Sequence, residues 1–143
     1  MDYKLELVLI PVSDVDRAKK FYLEQAGFVL IVDTPIGEEM RVVQAVPPGS
    51  ACAIGFGTGL TSAAPGAAQG LHLVVPDILA ARAELVERGI AVSVVRHLED
   101  GTWVDGPHPE RENYQSFADF TDPDGNIWIL QEVDRSKAEH GSD

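Results

Sequence analysis

Apolar positions along the chain fall into two runs of one pattern, offset by a constant 63 residues from Leu9/His72 through Tyr22/Leu85. In the first half, the apolar run Leu7-Val8-Leu9-Ile10-Pro11-Val12 leads into Ser13-Asp14, after which Val15, Ala18, Phe21 and Tyr22 recur at helical spacing. In the second half, Gly70-Leu71-His72-Leu73-Val74-Val75 leads into Pro76-Asp77, and Ile78, Ala81, Leu85 and Val86 recur in the same way. A short side-chain oxygen at a helix start accepts from the free amides of the first turn. Asp14 (or Ser13) and Asp77 are therefore expected N-caps, and Gly27 and Gly89 the stops.

β-rich sequence follows each helix. Strands are expected over 28–33, 40–46 and 51–56, separated by the turns Pro35-Ile36-Gly37 and Pro47-Pro48-Gly49. The second half offers strands over 90–95, 116–120 and 127–133, the last preceded by the turn Asp122-Pro123-Asp124-Gly125-Asn126. Each half thus has the order βαβββ, an α+β fold class. The expected division is a first module over 1–57, a Gly/Ala/Ser-rich linker over 58–69, a second module over 70–133 and a frayed tail over 134–143. Residues 97–114 interrupt the repeat. A polar segment of that length with Trp103, Tyr114 and two prolines is expected to be a loop that covers or binds something, or one that packs its own aromatics.

A repeated βαβββ unit, a helix ending in Phe21-Tyr22 before Gly27-Phe28, and Asp-Pro-Asp-Gly-Asn before the final strand together resemble the vicinal oxygen chelate superfamily over roughly residues 4–133. That group includes glyoxalase I, bleomycin-resistance proteins, fosfomycin-resistance enzymes, epimerases and extradiol dioxygenases. The resemblance implies curved mixed sheets around a concave cavity and, in many members, a divalent metal held by His and Glu. The corresponding positions here are Leu7, Ala53, Gly70 and Ile129, none of which has a donor atom. No metal and no other cofactor is expected. Strand parity adds Leu9, Gly55, His72 and Gln131 to the cavity face, while Glu132 falls on the opposite side with Trp128 and Leu130. His97, His108 and His140 are expected at the solvated surface.

The expected ligand-binding set is therefore Leu7, Leu9, Ala53, Gly55, Gly70, His72, Ile129 and Gln131, with Trp103 or Tyr114 stacking on a flat ligand from the intervening loop. The resemblance then implies a metal-free protein of the bleomycin-resistance type that sequesters an aromatic drug or metabolite as a homodimer. The alternative is a lyase, isomerase or dioxygenase with a metal at other positions, or with His72 as general base.

Charge narrows the partners. With 11 Lys+Arg against 23 Asp+Glu the net charge is −12, which disfavours nucleic acid and anionic membranes. No apolar stretch near the start is long enough for a membrane span, and the one cysteine, Cys52, has no internal disulfide partner. A cytoplasmic location is expected.

Overall fold

The computed structural model describes residues 1–137, so the end of the expected tail, with His140, lies outside the described residues. The chain forms two units, one of residues 1–69 with 121–127, the other of residues 70–120 with those from 128 onward.

In the first unit, β1 (Leu7–Leu9), α1 (Val15–Lys20), β2 (Val29–Ile36), β3 (Met40–Val46) and β4 (Ala53–Thr58) build a sheet of order β1-β4-β3-β2, with β1 parallel to β4 and the other pairs antiparallel. The Asp14 carboxylate accepts from Arg17 N at 3.0 Å, so α1 starts as expected. The helix widens into a π-helical turn over Phe21–Gln25 and the chain leaves it at Gly27, whose φ of 79° a side chain would resist. Tyr22 is fully buried, with its ring 5.4 Å from Phe56 and 5.6 Å from Phe28. Burial of each such side chain contributes about 1.5–3 kcal/mol. Pro35 does not open a turn as expected but stays inside β2. That strand is the sheet edge, where a missing amide costs no ladder bond.

The turn over 122–126 completes this unit. Tyr22 Oη donates to Asp122 Oδ2 at 2.7 Å, and the Asn126 amide nitrogen and Nδ2 donate to the same carboxylate at 2.9 and 2.8 Å. Asn126 Nδ2 also donates to Pro11 O, its Oδ1 accepts from Ala68 N, and Ser13 donates through both N and Oγ to Asp124. Buried Asp122 and Asn126 are thus fully bonded, and the Asp-Pro-Asp-Gly-Asn motif ties the end of β1 to the start of α1.

The second unit comprises β5 (Leu71–Val75), α2 (Ile78–Glu87), β6 (Arg96–Glu99), β7 (Thr102–Asp105), β8 (Phe117–Thr121) and β9 (Ile127–Glu132), in sheet order β5-β9-β8-β6-β7. Asp77 caps α2 by accepting from Ala80 N at 3.2 Å. Leu130, Trp128 and Phe120 are buried on the core side of the sheet, and the Phe120 and Trp128 rings stack at 6.3 Å.

Two expectations are corrected here. The run 90–95 forms no strand: Asp119 N donates to the Ser93 hydroxyl at 2.9 Å where a ladder would need a backbone carbonyl, and the strand begins only at Arg96. Residues 97–105 are in turn no loop. They form the β6–β7 hairpin, in register from Arg96↔Asp105 to Glu99↔Thr102, around Asp100-Gly101 with φ of 50° and 79°.

Candidate functional site

Strand alternation gives each sheet one buried face and one more open face. In the first unit the latter holds Leu7 and Leu9 on β1 beside Ala53 and Gly55 on β4, paired Leu7↔Ala53 and Leu9↔Gly55. The small residue at Gly55 does not leave space there. A β-carbon at that position would stand 3.2 Å from a Leu7 methyl and 3.3 Å from a Leu9 methyl, so these two side chains already close over it. This face is largely apolar, and Gln44 on β3, paired with Gly55, brings one amide to it.

The second unit's open face is chemically richer. His72 pairs with Ile129 and Val74 with Gln131 across β5 and β9, so parity sets His72, Ile129 and Gln131 on one side. Gly70 stands just before β5 in a left-handed turn at φ 77°, and a β-carbon there would meet nothing within 4 Å. His72 Nδ1 lies 3.2 Å from Gln131 Oε1, and Gln131 Nε2 donates to Tyr114 O at 3.2 Å. Tyr114 thus belongs beside Gln131. It is held there by its own amide, which donates to Glu132 O at 2.8 Å, in a backbone with φ of 71°.

Trp103 stands at the other side of the same face. Its ring is half-exposed and meets Phe117 edge-on, with centroids 5.6 Å apart and an interplanar angle of 88°. The Arg96 guanidinium lies 5.0 Å from the ring and is itself held by Asp119 at 2.7 Å and by the Ser93 hydroxyl at 3.0 Å. Four strand steps separate β5 from β7, about 19 Å along the sheet at the usual strand spacing. The structure therefore brings His72, Gln131 and Tyr114 together and sets Trp103 apart from them.

Sequence reasoning missed two groups. Arg111, with φ of 52°, donates through Nε to Glu132 Oε1 at 2.9 Å and through Nη2 to Glu132 Oε2 and Asp77. Burial alone would push the Glu132 carboxyl up, but the Arg111 guanidinium and the Ile78 amide hold it below its ordinary value. This clamp fixes the segment after β7. The second group is His97, which is buried on β6 and not at the surface as expected. Its Nε2 faces Glu99 at 2.8 Å and its Nδ1 faces Gly106 O at 2.7 Å, so both nitrogens meet acceptors. The Glu99 carboxylate and then the Gly106 carbonyl push its pKa up. His108 is half-buried, its ring edge-on to His97 at 6.1 Å, and its Nδ1 accepts from the amides of Glu110 and Glu112. Asp100-Gly101, a strong hairpin signal, was the cue that places His97 on a strand.

The residues do not fit the metal that related folds bind. Leu7, Ala53, Gly70 and Ile129 supply hydrocarbon or hydrogen, and among the described residues no three His, Cys, Asp or Glu side chains converge.

Comparison with known proteins gives a match over residues 4–130 to the Glyoxalase/Bleomycin resistance protein/Dioxygenase superfamily. Among solved structures, TnmS3, an antibiotic binding protein from Streptomyces sp. CB03234, is 33% identical and superposes with a TM-score of 0.71, over 92% of this chain and 96% of that one. A glyoxalase/bleomycin resistance protein from the same organism is 34% identical, with a TM-score of 0.69 over 90% and 99% of the two chains. The uncharacterized protein YetH of Bacillus subtilis (strain 168) is 24% identical over 135 residues, 87% of this chain and 94% of its own length.

Proposed function

Because this chain belongs to the glyoxalase/bleomycin resistance protein/dioxygenase superfamily, we propose that it is a small-molecule-binding protein that holds an aromatic drug or metabolite without transforming it. The observation that carries this reading is the Trp103 platform. An exposed indole fixed by Phe117 and Arg96 before any ligand arrives loses little freedom on binding, and stacking adds about 0.5–1.5 kcal/mol beyond area burial. The similarity to an antibiotic binding protein supports the same ligand class. The guanidinium on this face, Arg96, is already neutralised by Asp119 and supports the Trp103 ring, and the imidazole of His72 is backed by an amide and not by a carboxylate, which favours affinity over rate.

A homodimer belongs to this reading. The edge strand β2 exposes Val29, Ile31 and Ile36, which are 53%, 55% and 49% accessible, and an apolar edge of that length favours pairing with a second copy. Among the described residues no helix is long and apolar enough to cross a membrane.

Titration with a panel of polycyclic aromatic antibiotics, read by isothermal titration calorimetry in wild type and Trp103→Ala, tests the proposal. Affinity that weakens in Trp103→Ala, with the ligand recovered unaltered by mass spectrometry, is the expected result. Multiple turnovers of any panel member, or affinity unchanged in Trp103→Ala, would overturn it.

A further inference from the structure

We infer that His72 is a specificity-determining residue that accepts a hydrogen bond from a hydroxyl group on the aromatic ligand. This rests on the ligand-binding reading above and names the chemistry of a second contact on the same sheet face. The argument starts at Tyr114, whose carbonyl oxygen only accepts. The Gln131 amide must therefore present its nitrogen to Tyr114 O, which turns Oε1 toward His72. Oε1 also only accepts, so the proton of a neutral His72 ring sits on Nδ1. The lone pair is left on Nε2, to which no described residue is bonded.

The surroundings decide what that lone pair does. A general base is usually backed by a carboxylate that stabilises the imidazolium; Gln131 orients the ring and supplies no charge. Ile129 stands across the ladder from His72, and the position of the missing Gly70 side chain is open space, so the acceptor is presented at the border of an apolar surface with room beside it. A ligand carbonyl or ether oxygen would set one lone pair against another. A phenolic hydroxyl completes the chain from ligand to His72, Gln131 and Tyr114, so selection comes from both attraction and repulsion.

Two naphthalenes differing only in the donor test this: 2-naphthol and 2-methoxynaphthalene, titrated into full-length protein labelled with nitrogen-15 in histidine. His72 should show the Nδ1–H tautomer before any addition. Its Nε2 resonance should move with 2-naphthol and stay in place with the ether, and His72→Phe should weaken 2-naphthol about three- to tenfold with the ether unchanged. Gln131→Leu should mix the tautomers and narrow the gap between the probes, a signature that simple loss of packing would not produce. An Nε2–H tautomer in the free protein would overturn the inference. So would calorimetric saturation with 2-naphthol without movement of His72 Nε2, while quenching at Trp103, about 19 Å away along the sheet, reports separately on the ligand-binding proposal. Absence of both quenching and shifts with either probe would overturn the two together.

Discussion

Arg111 grips Glu132 through both Nε and Nη2, so an almost fully buried carboxylate on β9 is neutralised by a residue whose own backbone sits at φ 52°. The same carboxylate accepts from Ile78 N at 2.9 Å, which joins the start of α2 to the clamp. The segment between β7 and β8 is therefore pinned at Arg111, at Tyr114 through its amide, and at Asn113, whose Oδ1 accepts from Asp134 N.

Replacing Arg111 by Met should leave Glu132 buried without its cation. Fully buried pairs lose about 3–5 kcal/mol when one partner goes; because Arg111 is about a third exposed, the expected loss is nearer 2–3 kcal/mol. Urea denaturation monitored by circular dichroism measures it. A change within about 0.5 kcal/mol would mean that solvent replaces the guanidinium at little cost.

His97 gives the stability a pH dependence on the alkaline side. Its folded pKa is raised above that of a free imidazole, so the native state binds the proton more tightly than the unfolded chain. The contribution is complete at acid pH and is lost as pH rises through the raised value, when one of Glu99 and Gly106 O gives up its donor. Urea midpoints at about pH 6 and about pH 9 should fall more for wild type than for His97→Gln. His108, 6.1 Å away ring to ring, is present in both proteins, so the difference reports on His97.

Asp122 should be among the least replaceable polar residues of the first unit. Tyr22→Phe removes one of its bonds and should cost about 1 kcal/mol, since Asn126 continues to satisfy the carboxylate. Asp122→Ala removes the acceptor shared by the Tyr22 hydroxyl, the Asn126 amide and Asn126 Nδ2, which keeps only Pro11 O, and should cost roughly 3 kcal/mol. Thermal unfolding of the two variants side by side checks the ratio.

Trp103→Ala should weaken binding of polycyclic aromatic ligands about three- to tenfold, the equivalent of a lost stacking contact. Arg96→Met should weaken it less, because Phe117 still supports the indole edge-on. Isothermal titration calorimetry of the three proteins provides the comparison, because Trp103→Ala removes the exposed indole fluorophore.

Much of this was legible in the sequence because it is local. Asp14 and Asp77 cap their helices since a short carboxylate before an apolar helical run has one favourable use, and alternation placed His72, Ile129 and Gln131 on one face through the fixed two-residue period of a strand. What escaped depends on distant partners. The apolar residues at Ile90, Val92 and Val95 are buried as a strand's would be, yet Ser93 spends its hydroxyl on Asp119, 26 residues ahead, and the ladder starts later. Arg111 gave no sign either, because its two carboxylates lie 34 residues before it and 21 after it. Trp103 was singled out as a stacking side chain, but its setting on a hairpin and its separation from Tyr114 follow from Asp100-Gly101, whose turn chemistry outweighed the polar composition around it.

The turn over 122–126 lies in the short segment 121–127 that joins residues 1–69 in one unit, which has a consequence for how the chain is made. The partners Tyr22 and Asp122 are 100 residues apart, and Ser13 and Asp124 are separated by 111. During synthesis the first sheet and its helix leave the ribosome long before these partners exist, so the buried Tyr22 hydroxyl waits without its acceptor until most of the polypeptide has emerged. Closing so large a loop slows folding far more than it lowers final stability. The duplicated halves therefore do not behave as two independent folding genes joined by a spacer. Severed at the linker, the leading fragment would hold all five of its regular elements and still lack the hydrogen-bonding loop that finishes it.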